Sequence, residues 1–146
     1  MFKHILLATD GSAASEHAAD MALSLARAHG AKLTALYVVD PYPYLGIGEA
    51  NPVGFDSYMS AARDHAAQAH ARLTQRSTAG GAAVDLQVRL VEDVAAVDGI
   101  LQTARDEKAD LIVVGSHGRT GLRRLMLGSV AGKVVAESTV PVLVAR

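Results

Sequence analysis

Residues 111–133 read LIVVGSHGRTGLRRLMLGSVAGK. The run Leu111-Ile112-Val113-Val114 is apolar without interruption. That is the pattern of a strand buried on both faces, as in a parallel sheet covered by helices on each side. Glycines follow at 115, 118, 121 and 128, and Gly128-Ser129 opens a segment of helical spacing over about 129–138. A core strand, a glycine-rich loop and a helix N-terminus in this order place the loop at the carboxyl end of a parallel strand. Doubly wound α/β folds bind their ligands there.

The rest of the chain repeats the alternation. Residues 4–9 (HILLAT) read as a further strand buried on both faces, and residues 32–39 (KLTALYVV) as another strand. Residues 84–91 (VDLQVRLV) alternate apolar and polar side chains, as an edge strand with one less buried face does. Residues 140–145 (VPVLVA) make a fifth strand, and Pro141 early in it places it at or near an edge. Between the strands lie helices. The first covers 13–29, with Ala14, Ala18, Met21, Ala22, Leu25 and Ala26 on one side, Ser12 as N-cap and Gly30 as C-cap. A long helix runs from about 57 to 78, with Tyr58, Ala62, Ala66, Ala69 and Leu73 on one stripe. Another covers 94–107, with Val94, Val97, Ile100, Leu101 and Ala104 together. Strand–helix alternation predicts a parallel sheet with helices on both faces. Five strands in 146 residues account for one domain, residues 1–146. Residues 40–56 break the rhythm with Pro41, Pro43 and Pro52 and three glycines, a loop long enough to carry function or mobility.

Composition narrows the function. Fourteen basic and fifteen acidic side chains nearly cancel, which argues against a nucleic-acid binder. There is no cysteine, so disulfide scaffolds, thiolate zinc sites and thiol catalysis are excluded. No apolar run approaches the roughly 20 residues that span a bilayer, and the N-terminal run is too short for a signal-peptide core. The expectation is a cytoplasmic protein with no membrane contact.

Residues 115–133 carry Arg119, Arg123, Arg124 and Lys133 and no acid. Glycines let backbone N–H groups approach phosphate oxygens, and the helix beginning at Gly128-Ser129 offers orphan N–H groups and a positive dipole end to an anion. The Ser129 hydroxyl either caps that helix or donates to a phosphate. Asp10, at the carboxyl end of the first strand, reads as a ligand or magnesium contact or as a cap on the first helix. Three look-alikes fail. GSVAGK at 128–133 is one residue short of a P-loop and lacks its final hydroxyl. Gly46-Ile47-Gly48 lacks the third glycine of the dinucleotide fingerprint, and no nucleophile elbow occurs.

The spacing Gly115-x2-Gly118-x9-Gly128-Ser129 resembles the G-x2-G-x9-G-[ST] signature of the universal stress protein family. The opening KHILLATDGS, the strand end LYVVDP and the close VPVLVAR are similar to it as well. The resemblance spans essentially the whole chain, least so over 42–56. It implies a three-layer, five-stranded parallel sheet of order 3-2-1-4-5, in the adenine nucleotide alpha hydrolase-like class, and ATP as ligand, with or without Mg2+. It implies that Ala8, Thr9 and Asp10 contact the nucleoside, with Asp10 near the ribose, and that Val38 lies against adenine. Gly115, Ser116, His117, Gly118 and Arg119 would line the phosphate loop, and Gly128, Ser129 and Val130 would bind phosphates. Ala131 departs from the family, many members of which place a second hydroxyl there, a loss of about 0.5–1.5 kcal/mol for one hydrogen bond. The resemblance also implies a homodimer. An apolar edge strand needs a partner, and antiparallel pairing of Val140 to Ala145 with a second copy supplies one.

Other residues read more plainly. His4, His17, His29, His65 and His70 are expected as solvated surface side chains, while His117 either lines the phosphates or points to solvent. Arg123 and Arg124 form a solvated basic face in preference to a triphosphate clamp. Leu122, Leu125, Met126 and Leu127 anchor the loop or meet a partner subunit. Tyr42, Tyr44, Phe55 and Tyr58 are expected to pin the long loop rather than cover the nucleotide. The leading function is an ATP-binding stress-response protein, a dimeric nucleotide-dependent regulator with at most slow hydrolysis, because no evident base is placed to activate water. The alternatives are a nucleotide-free dimeric scaffold and a phosphotransferase or ATP pyrophosphatase, whose signature motifs after the first strand are absent.

Overall fold

In the computed structural model, which describes residues 1–41, 52–117 and 126–146, the apolar runs form one parallel sheet. The elements are β1 (His4–Ala8), α1 (Ala13–His29), β2 (Lys32–Val39), α2 (Pro52–Thr78), β3 (Leu86–Glu92), α3 (Ala96–Asp106), β4 (Leu111–Gly115), α4 (Ser129–Glu137) and β5 (Val142–Ala145). The strand order is β3-β2-β1-β4-β5, as the resemblance implied.

Alternate side chains of the central strands feed two separate layers. Ile5, Leu7, Leu33, Ala35, Leu111 and Val113 pack against Ala18, Ala22, Leu23 and Ala26 of α1. Leu6, Leu36, Ile112 and Val114 face the other way, onto Ile100, Leu101 and Ala104 of α3 and Ala131 and Val134 of α4. Tyr37 and Val39 continue the first face under Met59, Ala66 and Ala69 of α2. The helices on each face are rich in alanine, which lets their backbones approach the sheet closely. The buried stripe of α1 includes Ala19 and Leu23, and Met21 and Leu25 lie at its margin.

Local signals held at the ends of α1. Ser12 Oγ accepts from Ser15 N at 3.3 Å, and Gly30 adopts φ +62 as the left-handed C-cap. Elsewhere the boundaries shift. Helix α2 starts at Pro52, inside the expected loop, because proline's fixed φ and missing N–H suit the first helical turn. Strand β1 stops at Ala8 and β3 starts at Leu86, two residues late. Pro141 stands just before β5 and serves as an acceptor only, its carbonyl taking the N–H of Ile112 at 3.0 Å. The C-terminal end of α2 is closed by Arg27 of α1, whose guanidinium donates to the carbonyls of Arg76 at 2.7 Å and Ala79 at 2.8 Å. Those are carbonyls a helix end leaves without partners.

The histidines do not all behave as surface side chains. His17 is exposed as expected. His29 is half-buried, accepting from Phe2 N at 3.2 Å through Nδ1. His70 lies edge-on to Tyr37, with ring centroids 6.4 Å apart. Burial lowers its pKa, against a hydrogen bond with the Ala35 backbone. His4 opens β1 at the end of the sheet remote from the glycine loop. Its Nδ1 donates to the Glu107 carbonyl at 3.0 Å, and its Nε2 lies 2.8 Å from Thr34 Oγ1. Thr34 in turn donates to Glu107 Oε2 at 2.7 Å, and Arg89 of β3 pairs with Oε1 at 2.6 Å. Burial raises the Glu107 pKa, but the Thr34 hydrogen bond and the charges of Arg89 and His4 outweigh it, and the carboxyl is held below its usual range. Helical periodicity could not reveal this network, because its members come from β1, β2, β3 and the end of α3.

Candidate functional site

Strand β1 is followed by α1 on one face of the sheet, and β4 is followed by α4 on the other. The connections therefore part at the carboxyl ends of β1 and β4, which is where a crevice opens in such sheets. A cavity of about 680 Å³ fills it, within the usual range for small-molecule sites. Of the twelve residues expected to contact the nucleotide, ten line it: Ala8, Thr9, Asp10, Val38, Gly115, Ser116, His117, Gly128, Ser129 and Val130. Gly118 and Arg119 lie outside the described residues, as do Leu122, Arg123, Arg124, Leu125, Tyr42 and Tyr44.

The floor is built from the first strand–helix turn. Thr9 N donates to Leu36 O at 2.9 Å, which extends the β1–β2 pairing by one residue. Asp10 Oδ1 accepts from Ser12 N at 2.9 Å, and Gly11 takes φ +77 to complete the turn. The cap on α1 is Ser12, so the capping alternative considered for Asp10 is filled by another residue.

Close approach explains two of the glycines. A Cβ on Gly115 would lie 3.2 Å from the carbonyl carbon and oxygen of Ala14. A Cβ on Gly128 would lie 2.9 Å from the Ser116 carbonyl oxygen, and Gly128 N donates to that same oxygen at 2.7 Å. This corrects the simple picture of a glycine N–H offered to phosphate. Gly128 spends its donor on Ser116 and thereby docks the start of α4 onto the end of β4. Gly128 is the N-cap and Ser129 is the first helical residue, exposed, without a capping bond from Gly128. The donors left over are the N–H groups of the first turn, Ser129 to Ala131, and that turn contains no acidic residue. Ala131 is buried beside the core and also lines the cavity. Ser116 is buried, and its Oγ lies 2.8 Å from His117 Nδ1.

The opposite end is apolar: Leu36, Val38 and Val39 from β2, with Ala96 and Ile100 from α3. Asp40 ties this end together. Its Oδ1 accepts from Ala96 N at 3.1 Å, supplying the cap for α3, and its carbonyl accepts from Tyr58 Oη at 2.9 Å. Tyr58 thus fastens α2 to the end of β2, in line with a pinning role, and it lines the cavity as well. Behind Val38 stands Gly99, where an added Cβ would meet the two Val38 methyls at 3.0 and 3.1 Å. Its bare backbone leaves Val38 its place in the wall. Neither Gly99 nor Ala61 stood out in the sequence, while Ala62 was expected on the stripe of the long helix and His65 as a solvated side chain; His65 is exposed, and both line the cavity. The spacing 58, 61, 62, 65 was the available signal for this α2 wall.

Among the described residues no three His, Asp or Glu side chains come together as metal ligands. Asp10 could hold a magnesium ion in company with phosphate oxygens and water, which is how that ion usually binds.

Comparison with known proteins agrees with this architecture. The family model described as "Universal stress protein family" matches residues 1–146. A universal stress protein of Thermus aquaticus is 38% identical over 147 residues, covering 100% of each chain. The solved structure of universal stress protein UspA from Lactobacillus plantarum superposes with a TM-score of 0.81 at 29% identity, covering 99% of this chain and 97% of that one. Another universal stress protein, solved in complex with cAMP, gives a TM-score of 0.62 at 30% identity over 99% of this chain and 97% of that one. The chain therefore belongs to the universal stress protein family.

Proposed function

We propose that the cavity binds an adenine nucleotide, with ATP as its principal ligand, and that the protein acts as a dimeric nucleotide-dependent regulator in the stress response. The observation that carries this reading is the docking of Gly128 on Ser116, which holds the first turn of α4 in the cavity wall opposite an apolar recess. Phosphates suit the N–H groups and dipole end of α4. A flat purine suits the recess around Val38, and Asp10 stands at the first strand–helix turn between them. The cAMP complex of a structural relative supports an adenine nucleotide as the ligand class. Gly115, His117, Ser129 and Val130 would face the phosphates, with Gly118 and Arg119 completing the loop. Hydrolysis is at most slow, because His117 Nδ1 is engaged with Ser116 Oγ, and the carboxylates of the described residues that line the cavity, Asp10 and Asp40, accept from the backbone N–H groups of Ser12 and Ala96. Isothermal titration is expected to show one ATP per chain with a Kd in the micromolar range, about −8 kcal/mol. Absence of binding for ATP, ADP, AMP and cAMP alike would overturn the reading.

The dimer rests on β5. Among the described residues it pairs with β4 alone, and its Val142, Leu143 and Val144 remain only half-buried. Antiparallel pairing with a second copy covers both its edge and its apolar side chains. Sedimentation velocity at micromolar concentration is expected to give twice the chain mass, and a single-chain mass would remove the dimer from the proposal. A cysteine-free chain with balanced charge suits the reducing cytoplasm and a small-molecule ligand.

A further inference from the structure

Helix α2 is longer than the strand it covers. Its 27 residues span about 40 Å, against about 26 Å for the eight residues of β2. Its second half packs on the sheet through Ala66, Ala69 and Leu73. The surplus in the first half overhangs the carboxyl ends of the strands and becomes a third wall of the cavity, lined by Tyr58, Ala61, Ala62 and His65, of which Ala61 and His65 are exposed. Two of these are alanines, which leave space. Among the described residues of α2, His65 is the one basic side chain that lines the cavity. Its height along the wall is set by its neighbours. Ala69, one helical turn further on, has its Cβ 3.6 Å from where a Gly11 Cβ would stand, and Arg72 Nη2 donates to Gly11 O at 3.4 Å. Tyr58, two turns before, is held at Asp40. His65 thus stands between the Asp10-Gly11 turn and the apolar recess, where the sugar of a nucleotide joining phosphates to base would lie.

We propose that His65 contacts the ribose of the bound nucleotide and makes the site selective for ribonucleotides; this rests on the nucleotide reading of the cavity. A ribose diol offers both donors and acceptors. The Asp10 carboxylate satisfies only the donors, and an imidazole N–H supplies the complementary donor. Helix α2 is then part of the recognition apparatus, and His65 acts on the sugar alone.

The test titrates ATP, 2′,3′-dideoxy-ATP and inorganic triphosphate into the wild-type chain, His65→Ala and His65→Gln. Circular dichroism checks folding, which an exposed helical alanine should preserve. Wild-type protein is expected to favour ATP over the dideoxy nucleotide. His65→Ala should lose about fivefold to tenfold in ATP affinity, the effect of one hydrogen bond, with the dideoxy nucleotide and triphosphate within about twofold of wild type. His65→Gln, which keeps an N–H donor, should recover part of the loss. The His65 imidazole resonances should shift on adding ATP and stay in place with triphosphate. Equal losses for ATP and the dideoxy nucleotide, or unchanged ATP affinity in His65→Ala, would overturn the role of His65 while leaving the nucleotide site standing. Failure of the wild-type chain to bind any of the three would overturn the nucleotide reading itself, and this inference with it.

Discussion

Gly128→Val should abolish measurable ATP binding, raising Kd by at least about a hundredfold, while the fold persists. The reason is a distance. Even a Cβ at residue 128 would lie 2.9 Å from the Ser116 carbonyl oxygen and 3.5 Å from the His117 Cα. Both neighbours are backbone atoms at the end of a core strand, so α4 must yield. Its first turn then leaves the cavity wall and takes the N–H groups of Ser129 to Ala131 with it. Hydrogen bonds to a charged group contribute about 1.5–3 kcal/mol each, and loss of two is sufficient for a hundredfold at about 1.4 kcal/mol per factor of ten. The helix body remains anchored by Val134, which is completely buried in the layer shared with β4 and α3. Far-UV circular dichroism should therefore change little. Calorimetric titration reads the binding, and a Kd within about threefold of wild type would remove α4 from the proposed phosphate site.

The largest stability effect is expected far from the cavity, at Glu107. Glu107→Ala should destabilise the protein by about 2–4 kcal/mol, less than the upper range for breaking a fully buried ion pair, because Arg89 is more than half exposed and water screens its side of the interaction. The loss falls mainly on Thr34 and His4. Thr34 is completely buried and would lose its 2.7 Å acceptor, and His4 would lose the carboxylate at 3.4 Å. The pH dependence comes from the lowered carboxyl pKa, which the Thr34 hydrogen bond and the charges of Arg89 and His4 impose against the effect of burial. A folded-state pKa below the unfolded value of 4.5 gives stability that is present above that pH and lost as the pH falls through the folded value. Urea unfolding at pH 7 and at successively lower pH values measures both effects. Glu107→Gln should lack this share of the acid destabilisation. A loss below about 1 kcal/mol in the alanine variant at pH 7 would show that the network contributes little.

The readable parts of the chain were those governed by local rules. Leu111 to Val114 announced a strand buried on two faces, and Ser12 and Gly30 marked the ends of α1 through their own backbone and side-chain chemistry. The glycine spacing from 115 to 128 identified the strand–loop–helix unit. The misreadings share one cause. Pro52 looked like part of a loop, yet proline is also a favourable first helical residue, and packing of the α2 body against the sheet decides between the two. His4 and His70 looked like surface side chains because each lies in a segment whose polar neighbours are exposed, while their own burial comes from packing against other elements.

Sequence alone therefore determined the element types, the parallel sheet with covered faces, the family and ten of the positions that line the cavity. These rest on periodicity, capping and glycine placement, each a property of residues near one another in the chain. Tertiary structure decided the rest. It showed that Gly128 is required by contact with Ser116, that Gly99 leaves Val38 its place, and that Asp40 caps a helix 56 residues away. It also placed His65 in a wall created by the excess length of α2 over β2. All of these depend on distances between elements brought together by the crossovers, which no local pattern encodes.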